Sequence, residues 1–385
     1  MKGIYLDYAA TTPVDPRVVA KMTSYFTDNF GNTMSMHHWG REAAEVLEKS
    51  RETVAGVIGA KAGEIYFTGS ATESNNLAIK GVAWANREKG KKIAISAIEH
   101  DCVEESAEWL KREGWEVNKI GVDKEGRIRM EELLAAVEKG VIMVSVIHGN
   151  NEIGVVQDIG RIGSLCRDRG IYFHTDASQS LGKEKIDVEA MKIDLLTASA
   201  HKIYGPKGAA VLYIRQGVKI EPWLHGGGHE KGLRSSTVNV AAIAGMAAAV
   251  EIYEKEGEAE NRRILGLREK LIEGILGGIK GATLNGSRES RLVNNVNISF
   301  AGVEGESIML RLDMEGIAVS TGSACSSKSL EPSRVLLAMG RTPMEAHGSI
   351  RFSLGRWTTE EEIDKVLKIL PGIIKDLRAV SPFKL

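Results

Sequence analysis

Cysteine is almost missing from this chain. Its 385 residues include three, Cys102, Cys166 and Cys325. An odd number at wide spacing fits neither a disulfide framework nor a zinc pattern, and a reducing cytosol is the natural compartment. Proline is scarce at 8 residues and glycine abundant at 42, which implies many tight turns. Strong charge of either sign is lacking. A formal net charge of −1 leaves no global footprint for nucleic acid or a membrane surface. No apolar run is long enough to span a bilayer. The most apolar long window, 238–250, is short and mostly alanine, and reads as a buried helix. The opening "MKGIYLDYAATTP" lacks the apolar core of a signal peptide, so a cytoplasmic location is expected.

What is present is ordinary for a soluble protein, with 43% hydrophobic and 26% charged residues. The length suggests two domains. The middle of the chain alternates strand-like and helix-like stretches. "KKIAISAIEH", "VIMVSVIHGNN", "IYFHTD", "DLLTASA" and "AAVLYIR" read as strands. "QDIGRIGSLCRDRG" reads as a helix capped by Asp158 and closed by Gly170, with Cys166 on its apolar side. Repeated β-α-β order implies an α/β fold with a mostly parallel, doubly covered sheet. Ligands of such sheets bind beyond the carboxyl ends of the strands. His100, Asn151, Asp176 and the pair His201-Lys202 all fall at or just past such ends. After about residue 255 the pattern changes. A charged helix, further strand-like stretches and a last helix near 359–378 suggest a smaller α+β domain.

Lys202, in "SAHKIYGPKG", stands between a strand and a Gly-Pro turn. A lysine partly desolvated at a sheet mouth becomes a Schiff-base nucleophile; a surface lysine is the plain alternative. Asp176 ends a buried strand and needs a cationic or hydrogen-bonding partner. A pyridinium nitrogen would serve, and so would a helix N-terminus capped by this residue. "FTGSATESNN" opens a helix whose free N–H groups suit a phosphate, although Thr72 could be only its cap. His100 could stack on a flat cofactor or exchange protons, or be a satisfied core histidine. The order of these four features on one alternating sheet is what pyridoxal phosphate (PLP) chemistry needs: a phosphate anchor, a partner for the ring nitrogen and an amine.

On these residues the chain resembles the cysteine desulfurases, in the class I branch of this PLP-dependent group within the class V aminotransferases. The matching strings span essentially the whole chain: "YLDYAATTPVDPRV", "GSATESNN", "IEHD", "NNEIGVVQDIG", "HTDASQS", "SAHKIYGPKG", "HGGGHEKGLRSST", "STGSACSSKSLEPSRVL" and "SIRFSLGR". The resemblance implies a large PLP-binding domain at 16–255. It also implies a small domain, 1–15 and 256–385, carrying the catalytic cysteine loop. Lys202 would hold the cofactor covalently and move the substrate Cα proton. Asp176 would pair with the ring nitrogen and Gln179 with the ring hydroxyl, while His100 stacks on the ring and takes part in proton transfer. Ala71, Thr72, Ser199 and His201 would hold the phosphate, completed by Thr237 of the partner in a homodimer. Asn151 and Arg351 would orient the substrate carboxylate, with Asn32 a further candidate. Arginine suits that task through its planar fork.

Cys325 would take sulfur from L-cysteine as a persulfide, releasing alanine. Small and glycine residues around it would let it swing, with the next helix starting near Pro332. The sulfur would go to an iron–sulfur scaffold protein or another acceptor, with transfer RNA thiolation as a second outlet. Cys325 could also contribute to a transferred iron–sulfur cluster; no resident metal is expected, and no direct nucleic-acid or membrane contact. A selenocysteine lyase or small-amino-acid aminotransferase on the same scaffold is the alternative, with a non-enzymatic sulfur-relay subunit the reading from a different class. Cys166 reads as core, and a structural role is favoured for Cys102. His225 and His229 have metal-like spacing, but the Gly-Gly-Gly between them argues against a helix. The chain departs from the family's usual strings at Thr33-Met34, where Pro-Ser is common, at Gly149, where Val is usual, and at Ser236, where Gly is common.

Overall fold

The computed structural model describes residues 3–321 and 331–381. Cys325, and with it the expected mobility of its loop, lies outside the described residues. Strands in chain order are β1 (Ile4–Tyr5), β2 (Ile65–Thr68), β3 (Lys92–Ser96), β4 (Glu116–Ile120), β5 (Met143–Ser145), β6 (Tyr172–Asp176), β7 (Leu195–Ser199) and β8 (Ala210–Ile214). They continue with β9 (Ala282–Leu284), β10 (Asn295–Phe300), β11 (Ile317–Ala318), β12 (Ser320–Thr321) and β13 (Ser349–Ser353).

The large sheet has the order β2-β8-β7-β6-β5-β3-β4. Its inner strands β5, β7 and β8 are buried throughout, as apolar runs covered by helices on both faces should be. The polar strand β4, Glu-Val-Asn-Lys-Ile, takes an edge. Five neighbours from β7 to β4 run parallel. β8 pairs antiparallel with β7, and β2 antiparallel with β8. The return from β7 to β8 uses only residues 200–209. That is too short for a parallel crossover, and it leaves Lys202 at the carboxyl end of β7. From β3 the chain winds outward to β4, then returns to the other side of β3 and proceeds through β5, β6 and β7. The reversal between β3 and β5 is a topological switch point, where open α/β sheets place their ligands.

The expected helix with Asp158 as cap is present at Ile159–Arg167, where the Asp158 carboxylate accepts from Arg161 N at 3.1 Å. One expectation needs correction. The alanine-rich window and the charged segment after it form one helix, Val240–Gly278, instead of two. Its first part, Val240–Val250, is buried in the apolar cluster around the large sheet, and Ile264–Ile275 enters a second cluster. The change in composition marks a change of surroundings, with no break in the helix. The helix expected to start near Pro332 is present. The helix is Arg334–Ala338, capped by Ser333, whose Oγ accepts from Leu336 N at 3.2 Å.

The second cluster gathers Ile4 and Leu6 with residues between 264 and 374 around the antiparallel sheet β12-β13-β10-β9. β1 pairs with β11, and Asp7 bridges Ser353, so the N-terminal segment lies on this sheet before crossing to the larger one. Val335, Leu336, Met339 and Ala346 pack in the first cluster although they come late in the chain. The departure at Gly149 also has a physical reason. A Cβ there would lie 3.0 Å from Leu292 Cδ2, so Leu292 fills the space a larger side chain would take.

Candidate active site

A cavity of about 600 Å³ opens at the carboxyl ends of β3, β5, β6 and β7. Among its lining residues are Ala71, Thr72, His100, Asn151, Asp176, Gln179, His201, Lys202 and Arg351. Nine residues singled out from sequence therefore share one cavity.

Asp176 ends β6 at 4% exposure. Its Oδ1 accepts from Ser178 N at 2.9 Å and its Oδ2 from Asn75 Nδ2 at 2.7 Å. The chain then turns; no helix follows for Asp176 to cap, so that alternative falls. The helix expected at "TESNN" runs over 71–85 with a π-helical stretch at Leu77–Gly81. Its cap is Ser70, not Thr72, with Ser70 Oγ accepting from Glu73 N at 3.1 Å. Ala71 and Thr72 thus form the first turn, where backbone N–H groups lack helical partners.

His100 does not end a strand. β3 stops at Ser96, and His100 caps the helix Asp101–Arg112, its Nδ1 accepting from Cys102 N at 3.2 Å. Lys202 reaches across to the N-terminal segment, where its Nζ donates to the carbonyls of Ala9 and Ala10. Gln179 Nε2 also donates to Ala9 O, at 2.8 Å. His201 Nδ1 meets Thr11 Oγ1 at 3.1 Å. Burial, with the Lys202 and Lys207 charges adding, pushes His201 down to about 4, so the ring is neutral at pH 7.

Arg351, from β13, is 2% exposed. It pairs with Asp7 Oδ1 at 2.8 Å and donates to Asn151 O at 3.0 Å, while its Nε has no partner among the described residues. Ser320 in β12 stands opposite Arg351 in register, and Glu331 and Pro332 line the cavity. The described residues that follow the 322–330 segment therefore line the site, and those that precede it pair with the strand that carries Arg351.

Three sequence candidates lie elsewhere in the single chain. Ser199 is buried at the end of β7 and does not line the cavity. Asn32 is exposed, its Oδ1 accepting from Met34 N at 2.9 Å. Thr237 is exposed and lines a separate recess of about 240 Å³ with Gly69, Gly208, Arg234 and Ser236. That recess backs onto the helix start through Arg234, whose Nε donates to Glu73 Oε1 at 2.6 Å.

Other lining residues carried no assigned role in the sequence. Glu99 Oε1 accepts from Ser96 Oγ at 3.0 Å and Ile147 N at 2.7 Å, while Oε2 has no partner among the described residues. Burial, with the Asp176 charge adding, pushes Glu99 up to about 8. Glu152 accepts from Ser333 Oγ at 2.5 Å, and burial pushes it up to about 7. Ala9 and Ala10 bring the N-terminal segment into the wall. The motif strings around these residues were visible, but nothing local marks a carboxyl group as buried. Cys166 is core, at 0% exposure, whereas Cys102 lines the cavity. No cluster of three or more metal-ligating side chains occurs among the described residues.

Comparison with known proteins identifies the family and the fold. The Aminotransferase class-V family model matches residues 4–366. A "Cysteine desulfurase IscS" of Dictyoglomus turgidum is 49% identical over 384 residues, covering 100% of this chain and 97% of that protein. Among solved structures, a NifS-like protein superimposes with a TM-score of 0.91 at 37% identity, covering 97% of this chain and 100% of the other. The apo structure of a cysteine desulfurase from Thermococcus onnurineus NA1 gives a TM-score of 0.87 at 28% identity, with 97% and 95% covered.

Proposed function

Because this chain belongs to the class-V aminotransferase family, and within it to the PLP-dependent cysteine desulfurases, we propose that the cavity holds PLP and that its residues act as follows. The observation that carries the assignment is the meeting of Asp176, Lys202, His100 and Arg351 in one cavity of about 600 Å³. The residues present fit the cofactor. A buried carboxylate suits a protonated ring nitrogen, an amine stands within the same wall, and a helix start offers N–H groups to a phosphate.

When bound, PLP supplies an electron sink for the substrate Cα. Lys202 would hold the cofactor covalently and move the Cα proton. Asp176, oriented by Asn75 and the Ser178 N–H, would keep the ring nitrogen protonated, and Gln179 would serve the ring hydroxyl. Ala71, Thr72 and His201 hold the phosphate, His201 as a neutral hydrogen-bonding ring, with Ser199 buried behind them at the end of β7. Arg351 and Asn151, both in the cavity wall, orient the substrate carboxylate. The Cys325 thiolate attacks the sulfur of L-cysteine. The S–S bond forms as the C–S bond breaks, the carbon keeps the electron pair and takes a proton, and alanine leaves.

The persulfide then passes to an iron–sulfur scaffold protein or another sulfur acceptor. No helix among the described residues is long and apolar enough to cross a membrane; we place the protein in the cytoplasm. We also propose a homodimer, supported by the position of Thr237 outside its own chain's cavity and by exposed Phe26, Phe30, Met34, Met36 and Trp39 around Asn32. Asn32 is assigned to the substrate side of the assembled site.

The test pairs alanine detection with mass spectrometry of Cys325. Wild-type protein given L-cysteine should release alanine and carry a persulfide on Cys325. Cys325→Ser should lose both while keeping its covalent cofactor. Normal turnover by that variant would remove Cys325 from the mechanism. In Lys202→Ala the borohydride-reducible link to the cofactor should be absent, and a surviving link would assign the amine elsewhere.

A further inference from the structure

Cys102 is 9% exposed in the cavity wall. Its Sγ lies 3.0 Å from Asn75 Nδ2 and 3.1 Å from His100 Nδ1. The Cys102 backbone N–H points at the same ring nitrogen, at 3.2 Å. The direction of these bonds follows from Asp176. An ionised carboxylate only accepts, so the end of the Asn75 amide facing Asp176 Oδ2 at 2.7 Å is its NH2 group. The same NH2 faces the sulfur. Cys102 Sγ therefore accepts from Asn75, and its own proton is left to point at His100 Nδ1.

We propose that Cys102 is a positioning residue. Its thiol and its backbone N–H together hold His100 in the tautomer that accepts at Nδ1 and carries its proton on Nε2. Burial, with the Asp176 charge adding, pushes the Cys102 thiol up to about 12, so the sulfur keeps its proton at neutral pH. Two donors aimed at Nδ1 favour the neutral ring over the imidazolium, whose Nδ1–H would confront both. The inference deepens the proposed function and rests on the placement of His100 at the reacting centre. The charged and titratable groups that share the cavity wall with His100 are Asp101 and Glu105 on its own helix, Glu99 before it, Glu152, Asp176 from β6, His201 and Lys202 after β7, Glu331, Arg334, and Arg351 from β13. Substituting Cys102 leaves all of them in place. Thr72 also hydrogen-bonds the sulfur.

The experiment uses holoprotein with 15N-labelled histidine. In the unaltered protein the His100 proton should reside on Nε2. Cys102→Ala removes the thiol donor. The His100 titration midpoint and the acid limb of kcat/KM for alanine formation should then both move up by about half a pH unit. Cys102→Ser, whose hydroxyl can donate, should restore most of the shift, and circular dichroism checks that both variants fold. A proton on Nδ1 in the unaltered protein overturns the proposal. So does a Cys102→Ala variant whose midpoint and acid limb stay put, the result expected if the thiol proton goes to Thr72. If the tautomer and the shift of the midpoint come out as stated but His100→Ala forms alanine normally, the positioning stands and the role of His100 in the reaction falls.

Discussion

Glu99 carries a carboxyl that folding keeps protonated. Its ordinary value of 4.5 rises to about 8 in the cavity wall because burial and the nearby Asp176 charge oppose ionisation. Below pH 4.5 the group is protonated in folded and unfolded chains alike and contributes nothing to pH dependence. Between 4.5 and about 8 the folded protein binds more protons than the unfolded chain, so stability falls as pH rises, and the penalty is complete above 8. Glu99→Gln keeps an oxygen for the Ser96 and Ile147 donors and cannot ionise. Its Tm should match wild type near pH 4.5 and exceed it by about 2 °C at pH 8. Parallel Tm curves across that range would show that Glu99 ionises without strain. Sequence could not have flagged this residue. "SAIEH" reads as a strand end, and only the packing of β5 beside β3 puts Ile147 N–H on one carboxyl oxygen and leaves the other without a donor.

The helix start at Ala71 shows how an element turns local signals into a binding surface. Ser70 caps it, and the Glu73 carboxylate closes back on Gly69 N at 2.9 Å while accepting from Arg234. The N–H groups of Ala71 and Thr72, both in the cavity wall, are left without helical partners. Ser70→Ala removes one cap and should destabilise this turn by about 1 kcal/mol. Spectrophotometric titration of apoprotein should show weaker PLP binding, with kcat unchanged at saturating cofactor. Unaltered cofactor affinity would separate the cap from the phosphate site. Elements with a local signal were legible in the sequence: Asp158 before its helix, the apolar runs of β5 to β8, and the residues that converge beyond the strand ends. Features set by distant partners were not. The single helix Val240–Gly278 looks like two because each half meets a different apolar cluster. The antiparallel run of β8 follows from a connection too short to cross over. Asn75 and Cys102 acquire their places only when their helices, Ala71–Asn76 and Asp101–Arg112, stand side by side.

At the scale of the whole molecule, two apolar clusters share the spine Val240–Gly278, and the cavity lies where the larger sheet meets β13. We assign residues 16–255 to the cofactor-binding body and 1–15 with 256–385 to the smaller one, with the late residues Val335, Leu336, Met339 and Ala346 reaching back into the larger core. Thr237 decides whether one chain suffices. It lies in its own recess, away from Lys202 of the same chain. In the proposed homodimer each site combines Lys202 of one protomer with Thr237 of the other. Two crippled variants then complement each other. Lys202→Ala lacks the amine, and Thr237→Glu sets a negative charge against the phosphate. A mixed dimer contains one site with Lys202 and Thr237 both intact and one site with neither. Random pairing on co-expression makes half the dimers mixed, so activity should recover to about a quarter of wild type. If Thr237 served its own chain, every site in every dimer would carry a defect, and co-expression would give no more alanine than the two variants assayed apart.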